Sequence, residues 1–178
     1  YIKPEISLLN EEQIKLERLV YNVLQEYTRS GVFERMYIVS NEDVADIIGD
    51  ISVKNYHEKI NEMIVSTIHM INVYSNNQAI TDTYCGLPVG ARLTTVGMSN
   101  LEKNEDRMLF SLDNVTDIVY YYTHNREKLE SDFGLMSKIK NAVSSKKEDG
   151  VRVTYGIFET DYEQDYVYCL NHSSVIQK

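Results

Sequence analysis

The most regular apolar spacing in the chain lies in residues 10–27, where Leu16, Leu19, Val20, Val23, Leu24 and Tyr27 recur at three- and four-residue steps. This spacing predicts one face of an amphipathic helix of roughly five turns. Asn10 is placed to cap it, Gln13 completes a capping box, and Glu11 and Glu12 suit the positive end of the helix dipole. Residues 33–40 hold Met36, Tyr37, Ile38 and Val39, a short β-branched run that reads as a strand. It leads directly into a helix start. Ser40 or Asn41 caps, Glu42 and Asp43 sit in the first turn, Val44, Ala45, Ile47 and Ile48 form the stripe, and Gly49 ends it.

A further helix begins at Ser52, with Val53, Tyr56, Ile60, Met63 and Ile64 on its apolar side and Lys54, Asn55, His57, Glu58 and Asn61 on its polar side. Residues 66–74 have the β-branched alternation of a strand, residues 91–96 suit its antiparallel partner, and the turn formers of 75–90 lie between them. After a polar turn at 99–106, residues 107–112 read as a strand. Val115, Ile118, Val119 and Tyr122 then fall at helical spacing, as do Leu129, Phe133, Met136, Ile139, Ala142 and Val143 after a break at 124–126. Residues 144–150 form an exposed loop. Val151, Val153, Tyr155 and Ile157 alternate as a half-buried strand, and residues 166–170 pair back with it around the acidic stretch 159–164.

The predicted fold class is therefore α+β: a winged-helix-like N-terminal unit of helix, short strand, two helices and β-hairpin, followed by strand, helices and a C-terminal β-hairpin. Residues 1–100 make up the first unit, and 101–178 pack on it as an extension or continue it as one domain. The phrases LLNEEQIKLERLVYNVL, YIVSNEDVADIIG and VKNYHEKINEMI, in that order, resemble the first winged-helix unit of plasmid and phage replication initiators. RMLFSLDNVTDIVYYY resembles the strand and helix with which such units continue. The resemblance implies a recognition helix in the DNA major groove carrying Ser52, Lys54, Asn55, His57, Glu58 and Asn61, with Arg92 and the 76–86 loop at the wing.

Charge changes this picture. The net charge of −9 disfavours a general nucleic-acid coat, because phosphate binding rests on Lys and Arg. Residues 51–103, however, hold Lys54, Lys59, Arg92 and Lys103 against Glu58, Glu62, Asp82 and Glu102, so the reading face is neutral on an acidic body. No stretch of eighteen apolar residues predicts a membrane span, and the opening residues have no signal-peptide pattern, so a cytoplasmic protein is expected. The chain opens on Tyr1 rather than Met, as a processed or excised piece of a longer protein would. Cys85 and Cys169 read as free thiols of a reducing compartment.

No candidate chemistry is compelling. Glu159, Asp161, Glu163 and Asp165 alternate along a turn without the glycine or the downstream Glu of a calcium loop. Cys169 and His172 have the spacing of two zinc ligands but no second pair, and nothing local activates Cys85. Gly86, Gly90 and Gly97 match no phosphate-loop pattern, and Tyr120, Tyr121 and Tyr122 read as core with one amphipathic edge. The expected function is a non-enzymatic winged-helix DNA-binding protein of replication-initiator or transcription-regulator type, acting on double-stranded DNA as a homodimer or with a partner. The alternative is an acidic protein–protein interaction module from a phage or mobile element. Neither requires a metal or a cofactor.

Overall fold

The run TDIVYYYTH is β-branched or aromatic at most positions, the composition of a strand covered on both faces. In the computed structural model, which describes residues 1–84, 86, 88–147 and 150–178, it lies within the central strand β7 (Val115–Asn125). This corrects the helix expected there. Apolar residues on both faces of a strand imitate helical spacing, and here Tyr121 joins one core while Tyr120 and Tyr122 join the other.

Strand β9 (Tyr166–Ser173) runs antiparallel to β7 on one side, and β8 (Arg152–Thr160) runs parallel to it on the other. The predicted C-terminal hairpin is thus corrected as well, since β7 is inserted between the two strands. Outside β9 lies β5 (Leu93–Asn100), antiparallel to it, with β2 (Met36–Tyr37) and β6 (Glu105–Met108) paired to β5. A Cβ on Gly97 would stand 2.5 Å from the Arg107 carbonyl oxygen, so glycine is what lets β6 close onto β5 there. Strand β4 (Thr81–Asp82) closes the other edge against β8. Among the described residues the order is β2–β5–β9–β7–β8–β4, and β1 (Ile2–Lys3) pairs separately with β3 (Val39–Ser40).

One face of this mixed sheet is covered by α3 (Tyr56–Ser75). Its buried residues Ile60, Ile64, Thr67, Ile71 and Tyr74 step by four and three, so one stripe runs straight through the segment 66–74 expected to be a strand. Packing of that stripe on Val96, Val119, Tyr121 and Leu170 outweighs the β-branched content of the segment. With α3 unbroken, the hairpin of a winged helix does not form, and residues 91–96 pair instead with β9 and β2. What remains of the prediction is the α+β class; the mixed, multi-strand sheet is what the structure adds.

The other face carries the crossover that joins the parallel pair β7 and β8 through α4 (Arg126–Ser131) and α5 (Leu135–Ser145). Leu135, Ile139 and Val143 pack on Tyr120, Tyr122, Val153 and Cys169. The single helix expected over 129–143 is divided where Asp132 accepts a hydrogen bond from Gly134 N, which leaves Phe133 exposed. Helix α1 (Glu11–Arg29) has the predicted Asn10–Gln13 capping box. It buries Tyr21, Gln25 and Thr28, however, and leaves Leu16, Leu19, Val20, Val23 and Tyr27 in solvent. Helix α2 (Asn41–Ile48) is capped by Ser40 and ends at Gly49, whose φ of 80° suits glycine. No helix among the described residues is long and apolar enough to cross a membrane.

Candidate functional site

Between β3 and α2 the chain turns sharply, and Ser40 fixes the turn from both sides. Its hydroxyl accepts from Asp43 N at 3.2 Å, and its own N–H donates to Leu109 O at 2.7 Å. The acids of the NEDVAD sequence therefore fan out over one corner of the molecule. Asp43 is half-buried, with Asp46 one turn further on and more exposed. The Ser111 backbone and the charge of Lys3 both favour the ionised form of the Asp43 carboxylate. Burial nevertheless pushes the Asp43 pKa above the ordinary carboxylate value, with the charge of Asp46 adding to the rise. Close by, the Tyr56 hydroxyl donates to Glu5, and that bond raises the tyrosine pKa; Asp46 and Glu42 add to the effect.

This corner offers a candidate proton acceptor or water-orienting group: a half-buried carboxylate with a raised pKa, on a turn capped by Ser40. Asp132 and Asp165 are shifted the other way. The hydrogen bond from Lys138 lowers Asp132; burial would raise Asp165, but the bonds from Lys128 and His124 outweigh it. Among the described residues, no group of three or more His, Cys, Asp and Glu side chains is arranged to hold a metal ion.

The residues predicted to read DNA are placed as follows. Ser52 precedes a short turn that carries Lys54 and Asn55, and His57 and Asn61 lie on the first turns of α3, all exposed at one end of that helix. Arg92 lies apart from them, its guanidinium 3.8 Å from where a Cβ on Gly31 would sit and donating to Glu34 O at 3.3 Å, beyond the end of α1. Cys169 and His172 fall on opposite faces of β9, so strand alternation keeps them from sharing a ligand. Cys85 lies outside the described residues. Asp43, in the first turn of α2, is an acid that the helix dipole alone explains; its raised pKa comes from burial, which no local pattern announces.

On the same β2–β5 side of the sheet, Arg35 Nη1 reaches His172 Nδ1 at 2.8 Å, Thr94 Oγ1 at 3.0 Å and Ala91 O at 3.1 Å. The guanidinium can only donate, so His172 Nδ1 accepts and the ring carries its proton on Nε2. Burial, with Arg35 adding to it, lowers the His172 pKa to about 3. Between α3 and the sheet lies a cavity of about 640 Å³ lined by Ile64, Ile68, Val96, Val119 and Leu170, with Tyr37 and Tyr121 also on its wall.

No protein-family model matches the sequence, and neither does any curated protein. Solved structures supply the fold. A helical model of the four-stranded TubZ-Bt filament matches 96% of this chain and 51% of its own, with a TM-score of 0.67 and 19% identity. The GTPγS-form protofilament of TubZ from Bacillus thuringiensis serovar israelensis matches 99% of this chain and 52% of its own, at 0.64 and 16% identity. An FtsZ dimer from M. jannaschii matches 79% and 45%, at 0.55 and 12% identity. The chain has the fold of these FtsZ and TubZ structures over the region matched, and it spans about half their length.

The winged-helix resemblance is overturned by this match, and with it the expectation of an initiator-type or regulatory DNA reader. The expected non-enzymatic role falls too, because the proteins that share the fold include filaments in a GTPγS form. Nothing in the fold supports a DNA partner.

Proposed function

We propose that this chain is part of a nucleotide-dependent, self-assembling filament protein of the FtsZ and TubZ kind, and that its acidic turn at Asp43 and Asp46 serves nucleotide hydrolysis. The observation that carries this reading is the match of 99% of the chain to about half of a GTPγS-form protofilament subunit. The chain holds no glycine-rich phosphate loop, so the nucleotide would be held by the remaining half or by a neighbouring copy. What this chain can bring to it is a half-buried carboxylate whose pKa burial raises, able to orient or deprotonate an attacking water.

The outward stripe of Leu16, Leu19, Val20, Val23 and Tyr27 on α1 supports the same reading, since a contiguous exposed apolar face marks a contact surface. We take it as the seat of the remaining half. Residues 1–100 and 101–178 act in this proposal as one folding unit, because β5 of the first pairs with β9 of the second from Leu93 to Ser99. The partners are further copies of the same protein.

The test is phosphate release from GTP by the purified protein, with filament formation in GTPγS followed by pelleting. Asp43→Asn is expected to lower turnover about 100-fold or more, the scale of a lost acid–base group, and to leave GTPγS filaments intact. Unchanged turnover in Asp43→Asn would remove the acidic turn from the chemistry. Absence of any nucleotide-dependent polymer would sink the filament reading.

A further inference from the structure

Gln25 lies in the C-terminal third of α1, fully buried, although the apolar side of that helix faces solvent. Its carboxamide is engaged like one rung of a sheet. Nε2 donates to Gln177 O at 3.0 Å, and Oε1 accepts from Gln177 N at 2.7 Å. The Gln177 side chain, itself 2% exposed, then repeats the arrangement on the next segment. Its Oε1 accepts from Asp113 N at 2.6 Å, and its Nε2 donates to Val175 O at 2.6 Å and to Asp113 O and Ser173 Oγ at 3.3 Å.

The loop reached in this way, 109–113, is the one that touches the acidic turn. Leu109 O accepts from Ser40 N at 2.7 Å, and the Ser40 hydroxyl in turn accepts from Asp43 N at 3.2 Å; the Ser111 backbone favours the charged form of the Asp43 carboxylate. Lys3 runs beside this chain of bonds: its ammonium donates to Lys178 O at 2.7 Å and lies over the rings of Tyr21 and Phe110, at 4.9 and 5.6 Å from their centroids. We infer that Gln25 and Gln177 are positioning residues that couple α1 to the acidic turn, through segment 174–178 and the 109–113 loop.

Three features single this route out. Two carboxamides buried in succession would each be costly if unpaired, so a shift of either segment breaks several bonds at once instead of bending them gradually. Each link engages backbone groups, so it transmits the position of a segment more than the identity of a side chain. The route also starts on the helix whose outer face is uncovered, so whatever seats on α1 would act on Asp43 without touching it. The inference rests on the proposed role of Asp43 for its functional meaning, but the coupling can be measured apart from hydrolysis.

Gln25→Leu cuts the first link and leaves the second, and Gln177→Leu does the reverse. Amide exchange at Ser40, whose N–H donates to Leu109 O, should rise about five- to tenfold in either variant, the scale set by one lost hydrogen bond. The double variant should exceed neither, because the links are in series. Core amides of β7 and β9 should stay protected. The ¹³C titration of the Asp43 carboxyl should move to higher pH in both variants, since a backbone group that favours its charged form is loosened; a purely structural role would leave it in place. Should Gln25→Leu lose its core protection, Gln25→Glu keeps the acceptor for Gln177 N and should give the same changes at lower amplitude. Unchanged Ser40 exchange and an unmoved Asp43 titration in the Gln25 variants, or strictly additive effects in the double variant, would overturn the coupling. If Asp43→Asn retains full GTP turnover while these shifts appear, the coupling stands and the assigned chemistry of the turn fails.

Discussion

Helices α1 and α5 both carry an apolar stripe at helical spacing, yet α5 turns Leu135, Ile139 and Val143 onto the sheet while α1 leaves Leu16, Leu19, Val20 and Val23 in solvent. The side that α1 buries is partly polar. Gln25 is paired with the Gln177 backbone, and Thr28 Oγ1 donates to Leu24 O at 2.8 Å, so burial on that side is satisfied by hydrogen bonds. An amphipathic pattern therefore states that a helix requires a partner without saying that the partner lies within the same 178 residues. In α5 the partner is the sheet. In α1 the sheet is met by the other side, and the stripe remains open for something else.

The sharpest way to test this contrast is to remove a buried side chain from the covered helix. Ile139 has no exposed surface and sits among Tyr120, Tyr122 and Val153. Ile139→Ala should cost about 2–5 kcal/mol in urea unfolding, from lost burial plus the cavity left behind. A loss below about 1 kcal/mol would mean that α5 is not packed as described.

What the sequence made legible follows the same division. Several local signals hold: the Asn10–Gln13 box, Ser40 as the cap out of the pair Ser40 and Asn41, and the Gly49 stop depend on a few neighbouring residues, whereas Ser52 heads only a short turn, without a side-chain cap bond, and α3 begins at Tyr56. The errors arose where the burial environment decides. In residues 66–74, Thr67, Ile71 and Tyr74 continue the stripe of Ile60 and Ile64, but β-branched content suggested a strand and cut α3 in two. In residues 115–122, burial of both faces produced a spacing that looked helical. Together these two exchanges manufactured a wing from the end of a helix and a helix from the central strand, and the winged-helix resemblance followed from them. The Asp43 corner was invisible for another reason: Lys3, Ser40, Asp43 and Ser111 are brought together by the β1–β3 pair and the 109–113 loop, which leave no pattern in the chain.

A second test asks whether α1, despite its open face, is tethered to a firmly built end of the sheet. The linker after α1 is anchored by Arg35 on His172. Burial and Arg35 hold the His172 pKa at about 3, below its ordinary 6.5, so the folded protein keeps the ring neutral while the unfolded chain takes up a proton below pH 6.5. Stability from this group is full above that pH and is lost as pH falls from 6.5 towards 3. At pH 5 the loss is on the order of 2 kcal/mol. His172→Gln should flatten this part of the stability profile relative to the parent protein. An unchanged slope between pH 6.5 and 4 would mean that His172 is not held neutral by this anchor.

The smallest expected change in stability belongs to the open face itself. Leu19 is 61% exposed and Val23 40% exposed, so replacing both by Lys opens no cavity and strands no buried group. Lysine is close to leucine and better than valine as a helix former, and two positive charges suit a helix that also carries Glu11, Glu12, Glu17 and Glu26. The unfolding midpoint of this chain should therefore stay within about 0.5 kcal/mol of the parent. Assembly should respond in the opposite way. Two ammonium groups set into an apolar contact must be desolvated without partners, which is among the costliest changes an interface can suffer. The double variant should consequently fail to form GTPγS filaments, or to bind the remaining half, while folding normally. If it destabilises the chain by more than about 1 kcal/mol, the stripe is covered within the chain and the contrast with α5 disappears. If it folds and assembles like the parent, α1 faces solvent in the working protein too, and the partner its pattern calls for has to be sought on another surface.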